Sequence, residues 1–173
     1  ELAEIVVQGK LSNLQRKTSE PIAYAADRER KPVQHFVGAG KWDDEAVMAE
    51  LRRDVAEEIG DANGIFIVDG SGFAKKGNNS CGVARQWCGR LGKIENCQNG
   101  VFLTYATEHG CILVDRQLYL PEEWANDPKR RKQCHVPQEI GFQEKWRIAL
   151  DLMERSKDVP YRWVAADDEF GRV

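Results

Sequence analysis

"IFIVDGSGFAKKG" (residues 65–77) decides how the chain is read. Ile65, Phe66, Ile67 and Val68 form an unbroken apolar run, the composition of a strand buried in a sheet. Asp69 closes that run, Gly70, Ser71 and Gly72 follow, and Lys75 and Lys76 stand just beyond. A carboxylate at the carboxyl end of a buried strand, with permissive backbone and two cations after it, has the makings of a site rather than of a core.

Outward from this stretch, the pattern is that of an α/β chain. Upstream, "WDDEAVMAELRRDVAEEIG" (42–60) predicts a helix, because Val47, Leu51, Val55 and Ile59 recur every four residues on one stripe. Asp43 can cap it, Asp44 and Glu45 favour its positive end, and Gly60 stops it. Residues 1–41 are polar and mixed, with short helical pieces. Downstream, "CGVARQWCGRLGK" (81–93) reads as a short strand and a glycine-rich turn. "NGVFLTYAT" (99–107) and "CILVDRQLYL" (111–120) read as a hairpin turned at Glu108-His109-Gly110. A loop punctuated by Pro121, Pro128 and Pro137 precedes a helix over 143–157, and "YRWVAAD" (161–167) is a further extended run. Antiparallel strands followed by a helix-linked strand predict a mixed sheet with helices on its faces. Asp69 and Asp167 then terminate two strands that can lie side by side, bringing both acids to the edge where open α/β sheets bind ligands.

Composition limits the alternatives. The 173 residues are 42% hydrophobic with a net charge of −3, which gives a real core and no global basic footprint. Five cysteines without a CxxC pair argue against a secreted disulfide scaffold. Cys134-His135 and His109-Gly110-Cys111 are too few ligands for a zinc site. There is neither a run of about 20 apolar residues nor a signal-peptide pattern, so the expectation is a cytoplasmic protein with no membrane partner. Both ends break off in mid-pattern, and the chain reads as a segment of a longer one.

Paired carboxylates suit a hard divalent cation such as Mg²⁺, which keeps several waters and needs few protein ligands. On the residues alone an alternative stays open, in which Asp69 starts a turn and Asp167 caps one. Phosphate-loop readings fail: Gly77 is followed by Asn78 and Asn79 rather than Lys and Ser or Thr, and Lys75 stands where a dinucleotide fingerprint needs a small residue. An actin-like Asp-Gly-Ser-Gly turn lacks its second phosphate-binding hairpin. Lys75, Lys76, Arg85, Arg90 and Lys93 form a local basic concentration, which either holds DNA phosphates or is a solvated loop. Lys129 to Lys132 read as merely exposed. Trp87 and Trp124 either stack on bases or pack into the protein.

Taken together, "VDGSGFAKKG" (68–77), "SCGVARQWCGRLGKIENCQNGVFL" (80–103), "LVDRQLYLPEEWANDPKRR" (113–131) and "WVAADDEFG" (163–171) resemble the DDE-type transposases of bacterial insertion sequences, also called DDE superfamily endonucleases. "LSNLQRKTSEPIA" (11–23) and "QHFVGAGKWDDEAV" (34–47) match the region before the family's core. The resemblance implies an RNase H-like mixed sheet with flanking helices over residues 61–173, preceded by an incomplete helical region over 1–60. It places the first catalytic and metal-binding acid at Asp69 and the second at Asp167, with Asp168 the alternative if the register slips by one. The third acid, a Glu on a later helix, has no counterpart before Val173, and Glu169 is too close to Asp167 to replace it. It further implies Mg²⁺ or Mn²⁺, double-stranded DNA (transposon ends and target) as partner, and two-metal strand cleavage followed by strand transfer. A homodimer is the expected assembly of the full-length protein. The competing readings are a non-catalytic remnant and an actin-like ATPase.

Overall fold

The helix expected over 42–60 forms as α4, Asp44–Ile59, and its apolar stripe is what joins it to the sheet: Val55 is buried there, with Leu51, Ala56 and Ile59 packed around the same core. The structure, a computed structural model, describes residues 1–171. Contacts divide the chain into two units, Glu1–Asp44 and Glu45–Val173.

The first unit contains α1 (Leu2–Leu11), α2 (Ser19–Ala25) and α3 (Arg30–Gly38), with Ile22, Ala23 and Val33 buried among them. Gly9 lets α1 approach α2 closely, since a methyl group there would stand 2.5 Å from the Ile22 side chain.

The second unit is built on a five-stranded mixed sheet: β1 (Ile65–Ala74), β2 (Ala84–Cys88), β3 (Lys93–Thr107), β4 (Gly110–Leu118) and β5 (Trp163–Ala166). The 15-residue β3 organises it, with β1 antiparallel along one edge and β4 and β2 antiparallel along the other. The predicted hairpin turns at Glu108-His109, where Thr107 pairs with Gly110. β5 joins the outer edge of β1 in parallel, a pairing that needs a crossover, here supplied by the segment carrying α7 (Lys145–Arg155). The loop expected over 121–141 contains two short helices, α5 (Glu122–Ala125) and α6 (Pro128–Gln133), the latter capped by Asp127, whose carboxylate accepts from the amides of Lys129 and Arg130.

One face of the sheet is the core. Alternate residues Phe66 and Val68 of β1, and Val101, Leu103 and Tyr105 of β3, are buried with Val114 against Val55 of α4 and Ile148, Ala149 and Leu152 of α7. Asp115 of β4 is fully buried on this face, 2.9 Å from Arg155 and 3.4 Å from Arg52, so one acid ties both helices to the sheet. The Tyr105 hydroxyl accepts from the Asp61 amide (2.8 Å) and lies 2.8 Å from the Pro160 carbonyl. One side chain thereby fixes the entrances to both β1 and β5. No helix among the described residues is long and apolar enough to cross a membrane.

Candidate active site

Asp69 lies on the sheet face opposite this core. In β1 the buried Phe66 and Val68 alternate with Ile65, Ile67, Asp69, Ser71 and Phe73, and the Asp69 side chain is exposed. Its partner on β3 is Phe102. Asp69 is not at a strand tip, as its sequence context led us to expect. β1 continues to Ala74, because Gly70, Ser71 and Gly72 keep the ladder with Val101, Gly100 and Asn99. What ends at this point is the other neighbour. β5 pairs Ile65 with Trp163, Phe66 with Val164, Ile67 with Ala165 and Val68 with Ala166, and then stops.

Asp167 is the next residue, one step past the last paired position of β5, as Asp69 is one step past Val68 on β1. Asp167 also shapes its own turn: its carboxylate accepts from the Glu169 amide at 3.0 Å, while its carbonyl accepts from the Phe170 amide. The capping role left open by the sequence is therefore present at Asp167, but no turn begins at Asp69. The Asp69 carboxylate has no hydrogen-bond or ion-pair partner among the described residues.

Glu169 belongs to the other side of the strand. A methyl group on Gly70, which alternates with Asp69, would point at Glu169 Oε2 from 3.2 Å, and Glu169 Oε1 pairs with Lys145 of α7 at 2.5 Å. Its negative charge helps burial raise the Tyr119 hydroxyl above its ordinary pKa, burial being the larger cause. Gly72, part of the stretch read as permissive backbone, is closely packed. A side chain there would meet Asn99 Oδ1 at 2.8 Å and Cys88 Sγ at 3.0 Å, so it is glycine to leave room for Asn99 of β3 and the end of β2.

Two carboxylates that each follow the last paired residue of neighbouring strands, Asp69 without a partner, are of the oxygen-donor type that suits a hydrated hard cation held by few protein groups. Among the described residues there is no group of three or more His, Cys, Asp or Glu side chains that could hold a metal ion.

The basic residues fall into two groups. Asn96 of β3 donates through Nδ2 to the carbonyls of Lys75 (2.9 Å) and Gly77 (3.0 Å), and it pairs with Arg85 across the ladder. Lys75, Lys76 and Arg85 are thus gathered at one end of β1. Arg90 sits in the 3-10 turn Gly89–Leu91 that joins β2 to β3, and Lys93 pairs with Glu95 at 3.0 Å. The Asn96 amide and then Lys93 hold the Glu95 carboxyl below its ordinary pKa.

The chain matches the family model of the DDE superfamily endonucleases over residues 1–173. It belongs to that family. It is similar to a probable transposase for insertion sequence element IS701 from Microchaete diplosiphon, with 32% identity over 89 residues, a stretch that is 51% of this chain. The chain spans 23% of that relative's length. No solved structure matches it. The mixed sheet with helices packed on it agrees with the RNase H-like fold that family membership implies. Sequence reasoning had singled out both acids and their strands. It had missed the buried Asp115–Arg52–Arg155 cluster, whose only signal was an acid between apolar residues and a polar strand end.

Proposed function

We propose that this chain carries the first two acidic residues of a transposase centre that cuts DNA at transposon ends and joins the freed 3′-hydroxyl to target DNA. The observation that supports the reading is the parallel pairing of β1 with β5, whose last paired residues, Val68 and Ala166, immediately precede Asp69 and Asp167. Asp69, free of other partners, and Asp167, fixed by its turn, are the groups that would hold Mg²⁺ or Mn²⁺. A divalent cation bound there supplies activation of water and neutralisation of charge at the scissile phosphate. Lys75, Lys76, Arg85, Arg90 and Lys93 hold the flanking phosphates and set the register of the duplex without reading its sequence.

The test is strand cleavage by the full-length transposase on a transposon-end duplex. Asp69→Asn and Asp167→Asn should each abolish cleavage and leave duplex binding within about twofold. Loss of binding with the fold intact would instead make the acids positioning residues. Two acids hold a cation weakly, so the 173-residue chain by itself should bind Mn²⁺ without nicking supercoiled plasmid. Metal-dependent nicking that Asp69→Ala removes would reveal a third ligand within these residues, with Asp168 and Glu169 the first to test.

A further inference from the structure

The two tryptophans that the sequence offered as base-stacking residues have opposite environments. Trp124 is buried, with Nε1 donating to the Val83 carbonyl at 2.7 Å and the Arg130 guanidinium 4.7 Å above its ring. It is a packing residue. Trp87 is 60% exposed, and directly across the β2–β3 ladder from it is Ile94, 59% exposed.

Exposure here does not come from a loose ribbon. Asn99 Nδ2 donates to the Trp87 carbonyl at 3.2 Å, Gln86 Nε2 donates to the Cys97 carbonyl at 2.9 Å, and Cys88 and Cys97 are fully buried on the inner side. The backbone is pinned while the indole and the Ile94 side chain project outward. The outer side of the ribbon also carries Arg85 and Asn96, and Asn96 brings in the Lys75–Gly77 segment. Arg90 lies at the tip. The ribbon's one acid, Glu95, lies on the inner side with its charge met by Lys93.

The same alternation along β3 puts Ile94, Asn96, Gln98, Gly100 and Phe102 on one face, and Phe102 is the residue opposite Asp69. The Trp87–Ile94 patch therefore shares a sheet face with Asp69, eight residues away along β3, or about 26 Å at strand rise.

We infer that this ribbon is a stacking platform for an unpaired nucleobase of the DNA substrate, with Trp87 as its ring and Arg85, Arg90, Lys75 and Lys76 on the adjoining phosphates. The inference rests on the transposase reading. A rigid, exposed indole bordered by cations, with no free acid beside it, fits a strand that presents a π-face and phosphates at once. The bases of an intact duplex hide those faces, so the ligand is an overhang or a frayed end.

The test compares two labelled oligonucleotides by fluorescence anisotropy: a blunt duplex and the same duplex with a short 3′ overhang. The protein should prefer the overhang. Trp87→Ala should weaken overhang binding about tenfold, the effect of losing one stacked base, and leave blunt binding unchanged. Trp87→Phe should keep most of the preference yet lose the quenching of tryptophan fluorescence that accompanies overhang binding, which a purely structural role would not do. Equal binding of both oligonucleotides by Trp87→Ala and the parent protein overturns the platform and leaves the transposase reading standing. No binding of either oligonucleotide by the parent protein, even at low salt, overturns the platform together with DNA binding by this chain.

Discussion

The two faces of the sheet are written by alternate residues of the same strands, yet they answer to different constraints. On the covered face Phe66, Val68, Leu103 and Tyr105 are packed against α4 and α7, and the fully buried acid there, Asp115, is held by two arginines. On the other face Asp69 stands without a partner between Ile67 and Ser71, and Trp87, Ile94 and Phe73 remain well exposed. A buried carboxylate must be paired to exist at all, whereas an exposed one is free to take a ligand. Which acid is buried and paired and which is left exposed follows from parity along a strand.

The sharpest way to break this comparison is to truncate residues three apart on β1. Phe66→Ala should cost about 3–5 kcal/mol, read from the urea midpoint, because a fully buried ring leaves a cavity. Asp115→Asn should cost roughly 2–3 kcal/mol by the same measurement, since it leaves Arg52 nearly buried without its counter-ion; Arg155, a third exposed (33%), recovers part of the loss from water. Tyr105→Phe keeps the ring and removes the hydroxyl that ties the entrances of β1 and β5, for about 1–2 kcal/mol. Asp69→Asn should change stability by no more than about 0.5 kcal/mol. A large destabilisation by that substitution would show Asp69 to be structural and remove the contrast between the faces. The smallest effect is chemical: under native conditions Cys111, exposed and opposite Ala106, should react with a maleimide well before Cys97, which is buried and whose thiol burial and then Cys88 push above its ordinary pKa.

Much of this was legible in the sequence because period-2 and period-4 patterns report burial directly. The α4 stripe and the Thr107–Gly110 hairpin followed from apolar spacing and turn residues, and the adjacency of β1 and β5 from strand order and the family resemblance. Glycine was read less well. Gly70 and Gly72 looked like a flexible junction, but both are held in a ladder, and Gly72 is small for a packing reason that arises from Asn99 and Cys88, residues distant in sequence. Trp87 and Trp124 were indistinguishable in sequence for the same cause, since only the tertiary partners Val83 and Arg130 bury one of them. For the site, the residue types and strands were legible, but the extension of β1 past Asp69 was not, because it depends on the length of β3.

The parallel pairing of β1 with β5 also sets the order in which the molecule is made. Ile65 and Trp163 are paired across nearly a hundred residues of chain, while β3 and β4 meet across a two-residue turn. Closing the longer loop costs more entropy before it returns any contact, so the β3–β4 hairpin and then β1 should assemble first and β5 last. Only four residues of β5 hold that last pairing, and all four are exposed. Their amides should exchange with solvent well before those of β3. A divalent ion gripping both Asp69 and Asp167 would slow that exchange in proportion to its concentration, by favouring the docked strand over the open one. On this account the β1–β5 seam is the last part of the sheet to close in folding and the first part of it to open afterwards.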